Sequence, residues 1–142
     1  GLLRKMVIGK QSSDVHSPLL NQAIVELYLE KGLLEPHLKR ICADYRHQLD
    51  AMLDALSAFP EGTVHTVPQG GLFVWARLPR DMSAQVLLEK AIEKNVAFVP
   101  GTHFYPEGGH ENTLRLNFSM QEPAAIAEGM GRLGALIKDL KK

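Results

Sequence analysis

An arginine lies in an alternating stretch, N-T-L-R-L-N-F-S, at residues 112–119. Such alternation is typical of a β-strand that buries one face. The apolar positions are Leu114, Leu116 and Phe118. Arg115 falls on the opposite face, between Thr113 and Asn117. A strand arginine of this kind is either a solvated surface charge or a rigid fork that binds a carboxylate through two hydrogen bonds.

The segment before this strand favours the carboxylate-binding interpretation. V-P-G-T-H-F-Y-P-E-G-G, residues 99–109, places a Pro-Gly turn before two aromatic residues, Phe104 and Tyr105. Turn-forming residues dominate the rest of the segment. Because the segment connects two neighbouring predicted strands, we expect its aromatic pair to form the wall of a pocket beside Arg115.

Length and composition fit one soluble globular domain. The 142 residues are 45% apolar and 23% charged, with a formal net charge of zero. Without a basic block, nucleic acid and anionic membranes are not expected partners, and no apolar run approaches the ~20 residues that span a bilayer. The single cysteine, Cys42, fits a cytoplasmic location. The chain begins without Met or a secretory signal, so we expect an excised part of a longer protein.

Hydrophobic periodicity predicts the order helix, helix, long helix, strand, strand, helix, strand, strand, helix. Strands are expected within residues 63–68, 72–79, 96–101 and 112–119, and helices over 2–10, after Ser17, from Pro36, after Ser83 and from Glu122. This order predicts an α+β fold, with a mostly antiparallel sheet of three to four strands covered by helices. The first two helices have no strand of this chain to lie on. We expect them to belong to a missing neighbour.

The strand at residues 72–79 carries apolar residues on both faces. Leu72, Val74, Ala76 and Leu78 point one way, and Phe73 and Trp75 point the other way. We expect Phe73 and Trp75 to be part of a sheet-face core rather than to stack on a ligand.

Other patterns that could do chemistry have simpler explanations. G-M-G-R-L-G, residues 129–134, matches a dinucleotide fingerprint but lies within a helical pattern, so close packing of that helix on the sheet is the better explanation. His103, Glu107 and His110 lie in a loop with no reason to converge on a metal, and we expect solvated histidines. Cys42 adjoins an apolar helical stripe, which favours a buried, inert thiol.

Four motifs together resemble a known family. They are K-Q-S-S-D-V-H-S-P-L-L-N-Q-A-I-V-E-L-Y-L-E-K-G (10–32), P-Q-G-G-L-F-V-W-A-R-L-P (68–79), N-V-A-F-V-P-G-T-H-F-Y (95–105) and N-T-L-R-L-N-F-S (112–119). In this order they resemble the C-terminal part of pyridoxal-phosphate-dependent aminotransferases of class I/II, fold-type I. The similarity is greatest to the aromatic-amino-acid and 2-aminoadipate aminotransferase branch, and it covers essentially the whole chain.

The resemblance implies two domains. Residues 1–34 would be a helical segment of the large cofactor domain, near a homodimer interface, and residues 35–142 would be the small C-terminal domain. The loop around His16 and Ser17 would approach the active site of the partner subunit.

The resemblance also implies roles for the residues around the strand arginine. Arg115 would bind the substrate α-carboxylate. Phe104 or Tyr105 would line the substrate pocket, and Asn117 would have a supporting role at most.

The implied activity is transfer of an amino group between an amino acid and a 2-oxo acid, with pyridoxal phosphate as cofactor. In the family, the lysine that holds the cofactor, the aspartate at its ring nitrogen and the residues around its phosphate lie upstream of all these motifs. We therefore expect no catalytic, cofactor-binding or metal-binding residue here, and no activity of this chain alone. Two alternatives stay open: a ligand-sensing aminotransferase-like domain of a winged-helix transcriptional regulator, and a free-standing α+β ligand-binding module.

Overall fold

A computed structural model describes residues 1–141 of the chain. The elements in chain order are α1 (Leu2–Ser13), α2 (Leu19–Glu30), α3 (Leu34–Ser57), β1 (Val64–His65), β2 (Phe73–Arg77), α4 (Ala84–Ile92), β3 (Val99–Pro100), a 3-10 turn (Gly101–Phe104), β4 (Thr113–Asn117) and α5 (Pro123–Leu140). They fall into two compact units, Gly1–Cys42 and a second unit that begins at Ala43.

The second unit contains a four-stranded sheet in the order β1-β2-β4-β3. Every neighbouring pair is antiparallel, which confirms the predicted α+β fold and sheet. In β4, Arg115 stands directly opposite Trp75 of β2 on one side and Val99 of β3 on the other. Arg115 therefore lies on an inner strand, where two neighbours fix its backbone.

Helices α3, α4 and α5 contribute to a core on one face of this sheet. The sheet side chains that alternate toward this core are Val74, Ala76, Leu114 and Leu116. The helical side chains of the same core are Leu49, Met52 and Leu56 from α3, Ala84, Leu87 and Ala91 from α4, and Ile126, Met130, Leu133 and Ile137 from α5. The strand alternation thus separates a buried face from a second face that carries Arg115.

Several helix ends agree with the sequence signals. Gly32 follows α2 at a φ of 64°, in the left-handed region that glycine adopts without a Cβ penalty. The Ser83 side chain caps α4 by accepting a hydrogen bond from the Val86 N–H. Pro123 begins α5, where its missing N–H costs no hydrogen bond.

Two predicted helix starts were wrong. Ser17 makes no capping bond to α2, which begins at Leu19 with Pro18 in an extended conformation before it. Helix α3 begins at Leu34 rather than at Pro36. Pro36 is accommodated because an N–H in the first helical turn has no intrahelical partner to lose.

The edge strands are shorter than predicted, with two residues each. In β3 the reason is visible in the backbone. The N–H of Val96 donates to the Ala91 carbonyl at 2.9 Å, so it ends α4 instead of pairing with a strand. On the other side of β3, Gly101 begins the 3-10 turn.

The G-M-G-R-L-G pattern lies inside α5, as its helical periodicity predicted. A Cβ added to Gly134 would meet ring carbons of Phe59 at 3.3 Å, so close packing explains this glycine. The neighbour is Phe59 rather than the sheet that we predicted. A Cβ at Gly131 would meet nothing within 4 Å, so packing does not explain that glycine.

The prediction of a buried Cys42 was wrong, because this thiol is exposed. The apolar stripe of α3 is buried only from Leu49 onward, and near Cys42 the stripe residue Leu38 remains 39% exposed. Periodicity located the stripe but not the point where its burial begins.

In the first unit, large apolar residues of α1 and α2 are exposed, among them Leu2, Leu3, Met6, Leu19, Leu20 and Ile24. Their assignment to a large domain, and the division at residues 34 and 35, stay predictions. Within residues 1–141, no helix combines the length and the apolar character that a membrane span requires.

Candidate functional site

Arg115 lies on the sheet face opposite the helical core. Leu114 and Leu116, on either side of it in β4, are buried in that core. Arg115 itself is half-buried, and its cross-strand neighbour Trp75 shares its face. The alternation read from the sequence therefore gives the correct side for this arginine.

Phe73 and Trp75 are not core residues, which corrects our prediction for β2. Phe73 is 40% exposed and Trp75 is half-buried. Because Trp75 pairs with Arg115 and Phe73 pairs with Asn117, strand parity places both rings on the arginine face.

The Arg115 guanidinium is in contact with two aromatic rings. Its Cζ lies 4.0 Å from the ring centroid of Phe73 and 4.7 Å from that of Phe104. Both distances are within the range of attractive cation–π contacts. These contacts restrict the long side chain, whereas carboxylates bind the N–H groups of a guanidinium.

The Nε atom of Arg115 is buried and has no hydrogen-bond partner among the described residues. Two other buried side-chain atoms of residues 1–141 share this state, Gln48 Oε1 and Thr63 Oγ1, but neither belongs to a charged group. The ion pairs Lys10–Asp14 and Arg132–Glu128 do not involve Arg115. An unmade hydrogen bond of a buried polar group is costly, so this N–H donor lacks an acceptor that its burial calls for.

Three residues, Trp75, Phe104 and Tyr105, form what we call the aromatic wall. The Trp75 ring meets Phe104 edge-on at a centroid distance of 5.5 Å and Tyr105 at 6.0 Å. Of the two aromatic residues after the Pro-Gly turn, Phe104 contacts Arg115, whereas Tyr105 stacks on the His110 ring at 3.9 Å. Of the predicted aromatic pair, Phe104 thus lies beside Arg115, and the substrate pocket that the pair was expected to wall stays a prediction.

His110 is more than a solvated loop residue, because its exposed ring supports Tyr105. Its φ of 56° is left-handed, and its carbonyl accepts hydrogen bonds from both the N–H and the hydroxyl of Thr113. Within residues 1–141 no cluster of three or more His, Cys, Asp or Glu side chains is arranged to hold a metal ion.

Asn117 lies two residues beyond Arg115 on the same face and is exposed. Its Oδ1 accepts hydrogen bonds from the Ser119 N–H at 2.9 Å and from the Ser119 hydroxyl at 3.1 Å. The side-chain oxygen is therefore engaged in the turn after β4, and its amide nitrogen is the remaining group that could reach a ligand.

His16 and Ser17 lie in the first unit, and both are exposed. The His16 Nδ1 lies 2.8 Å from the Ser17 carbonyl oxygen. Arg115, Phe104 and Asn117 all belong to the second unit, so His16 and Ser17 lie in a different unit from these three residues.

Phe73 is the site residue that sequence reasoning missed. The signal for it was the register between two strands that each carry five residues. Pairing Trp75 with Arg115 leaves Phe73 on the same face, within reach of the guanidinium.

Comparisons with known proteins agree on one family. Residues 5–133 match the family Aminotransferase class I and II. The chain is 46% identical over 139 residues to the 2-aminoadipate transaminase of Thermus thermophilus, and 43% identical over 141 residues to aromatic-amino-acid aminotransferase 1 of Thermococcus litoralis. These alignments include 97% and 99% of this chain but only 35% and 34% of the relatives, so the chain spans about a third of their length.

A solved structure extends the similarity to three dimensions. The α-aminoadipate aminotransferase LysN of Thermus thermophilus, complexed with N-(5'-phosphopyridoxyl)-L-leucine, superposes with a TM-score of 0.89 at 45% identity. The match covers 99% of this chain and 36% of that structure.

Proposed function

Because this chain belongs to the aminotransferase class I and II family, we propose that it is the C-terminal part of an enzyme that moves an amino group between an amino acid and a 2-oxo acid. Its own contribution is the receptor for the substrate α-carboxylate, centred on Arg115. The unpartnered, buried Nε of Arg115 is the observation that carries this proposal. The relatives reported above are named as enzymes, which favours an enzyme over the regulator and free-standing module alternatives.

The cofactor of the family is pyridoxal phosphate, which supplies an electron sink for amino-acid chemistry when it is bound. The described residues of this chain do not fit a site for it. Its aldehyde requires a lysine held in a pocket, and every lysine among residues 1–141 is exposed. We propose that the cofactor lysine lies outside this chain and that the chain alone is inactive.

The work of this chain is then substrate positioning. An arginine fork that holds both carboxylate oxygens fixes the orientation of the neighbouring Cα, a requirement for reaction in a defined geometry. Phe73 and Phe104 keep the guanidinium in place and shield part of it from water. Closure of the small domain over a bound carboxylate would complete this exclusion.

The remaining parts of the proposal concern the whole protein. Residues 1–34 would belong to the large domain and residues 35–142 to the small domain of a homodimer. His16 and Ser17 would then border the active site of the partner subunit. A cytoplasmic location fits a chain with a single, exposed thiol.

A ligand titration tests the carboxylate receptor directly. The isotope-labelled chain is titrated with L-leucine, with its 2-oxo acid, and with 3-methylbutylamine, which is leucine without its carboxylate. We expect the two carboxylates to shift the NMR signal of the Arg115 Nε–H and the amine to leave it unchanged. An equal response to all three, or none to the carboxylates, would exclude this role.

The parent activity needs a separate measurement. The full-length gene product, loaded with pyridoxal phosphate, should transfer the amino group of an amino acid to 2-oxoglutarate, and this chain should not. Turnover by this chain alone would contradict the proposed absence of the cofactor lysine, and no turnover by the loaded full-length protein would contradict the proposed reaction.

Asn117→Ala is expected to change leucine affinity by less than about threefold. The Asn117 oxygen already accepts two hydrogen bonds from Ser119, so its loss affects a surface turn, with a stability change within about 1 kcal/mol. The NMR titration and a urea melt measure both effects, with Ser119→Ala as the control for the turn. A loss of affinity as large as that of an arginine variant would make Asn117 a direct ligand.

A further inference from the structure

Gly101 occupies a point where the backbone approaches the sheet too closely for any side chain. It is buried and begins the 3-10 turn that ends at Phe104. An added Cβ would lie 2.8 Å from Thr113 Cβ and 2.9 Å from Trp75 Cζ2, and it would overlap the Thr113 hydroxyl. Gly101 is not among the positive-φ glycines, so the space requires glycine here and the backbone conformation does not.

The two neighbours of Gly101 are held firmly. Thr113 is 2% exposed, and its hydroxyl donates to the His110 carbonyl at 2.7 Å. The N–H of Trp75 donates to the Thr66 hydroxyl at 3.0 Å. Both residues also pair within the inner strands of the sheet. Because these side chains cannot withdraw freely, a residue larger than glycine would displace the 3-10 turn instead.

Displacement of that turn would act on the arginine through Phe104. Phe104 is the last residue of the turn, and its ring lies 4.7 Å from the Arg115 Cζ and 5.5 Å from the Trp75 ring. Moving the turn outward separates this ring from both. The guanidinium then loses one of its two aromatic contacts and gains freedom to rotate.

We infer that Gly101 is a positioning residue: it allows the turn to seat Phe104 over Arg115 and thereby holds the guanidinium ready for a carboxylate. This inference rests on the proposed function for its ligand, but its structural part can be measured without any ligand. Gly101 touches neither the substrate nor the reacting atoms in this scheme, and it acts only through Phe104.

The test compares Gly101→Ala with Gly131→Ala, a control at which an added Cβ meets open space. Without ligand, the Arg115 Nε–H signal of the native chain should show the ring-current shift of a proton beside aromatic rings. We expect G101A to lose much of this shift and G131A to keep it. An unchanged shift in G101A would overturn the inference, whether or not the chain binds carboxylates.

Affinity for L-leucine provides the second readout. We expect G101A to weaken binding about tenfold, as for a small misplacement of a binding group, and G131A to leave it unchanged. In a Phe104→Ala background, G101A should weaken binding no further, because its effect passes through the missing ring. Equal losses in both backgrounds would show a general structural defect and overturn the inference.

Trp75→Phe covers the case in which G101A does not fold. This variant keeps a ring in the strand but removes the indole edge that supports Phe104. We expect the same reduction of the Arg115 ring-current shift in a folded chain. In the same case, an unchanged Arg115 shift in Phe104→Ala would overturn the inference, because Gly101 acts only through that ring.

Discussion

Arg115→Lys is expected to lower the affinity for L-leucine about 100-fold while the chain stays folded. A lysine ammonium cannot present two parallel N–H donors to a carboxylate. It also lacks the planar guanidinium whose Cζ lies 4.0 Å from the Phe73 centroid and 4.7 Å from the Phe104 centroid. Hydrogen bonds to charged groups contribute about 1.5–3 kcal/mol each. Loss of one such bond together with the fixed geometry amounts to about 3 kcal/mol, which corresponds to the expected factor.

The measurement is the leucine titration on the chain, repeated as kcat/KM on the full-length enzyme. Arg77→Lys is the matched control, because Arg77 lies on the adjacent strand and the same sheet face but is exposed. We expect R77K to bind leucine like the native chain. If R115K and R77K behaved alike, general electrostatic attraction would explain carboxylate binding and the fork would have no special role. Binding of pyridoxal phosphate to the full-length enzyme should be unchanged in both variants.

Much of this site could be predicted from strand alternation. A period of two fixes which face each side chain takes once the strand is recognised, and Leu114 and Leu116 therefore exclude Arg115 from the core. The Pro-Gly turn likewise predicted that an aromatic residue after β3 would lie beside Arg115, and Phe104 does. Both follow from local chemistry, which a sequence shows directly.

The errors concern relations between distant segments. Phe73 was expected in the core because apolar character suggests burial. The pairing of β2 with β4 instead places it on the sheet face that carries Arg115. Cys42 was expected to be buried because it adjoins an apolar stripe, although burial of α3 begins only at Leu49. Periodicity predicts on which side of a helix or strand each residue lies. It does not predict which of those sides packs against another element.

The role of Gly101 was also beyond sequence reasoning. Gly101 is not among the glycines with a positive φ, and the sequence around it is that of an ordinary Pro-Gly turn. The need for glycine arises because Thr113 and Trp75 come together beneath it from two different strands. Such a requirement exists only once the register of the sheet is known.

Leu114→Ala and Phe73→Ala should have opposite effects, because the two side chains lie on opposite faces of the sheet. The first should mainly lower stability, and the second should mainly lower leucine affinity. Leu114 is fully buried, and its truncation leaves a cavity into which the surrounding core relaxes only in part, so we expect a loss of about 2–5 kcal/mol. Phe73 is 40% exposed, and its truncation should cost about 1–2 kcal/mol from partial burial and one cation–π contact. For leucine affinity we expect the opposite ranking. Phe73→Ala should bind leucine about tenfold more weakly, and Leu114→Ala should bind it with nearly the native affinity.

Urea unfolding followed by Trp75 fluorescence measures the stability term, because Trp75 is the only tryptophan and reports on the second unit. With an m-value of about 1.5 kcal/mol/M, a loss of about 3 kcal/mol moves the midpoint by about 2 M. Leucine affinity is measured under conditions where both variants remain folded.

A Phe73 variant that binds leucine normally would show that Phe104 alone holds the guanidinium. A Leu114 variant that is folded but fails to bind would show that the arginine depends on core packing as much as on its aromatic contacts, because the two faces of an inner strand share one backbone.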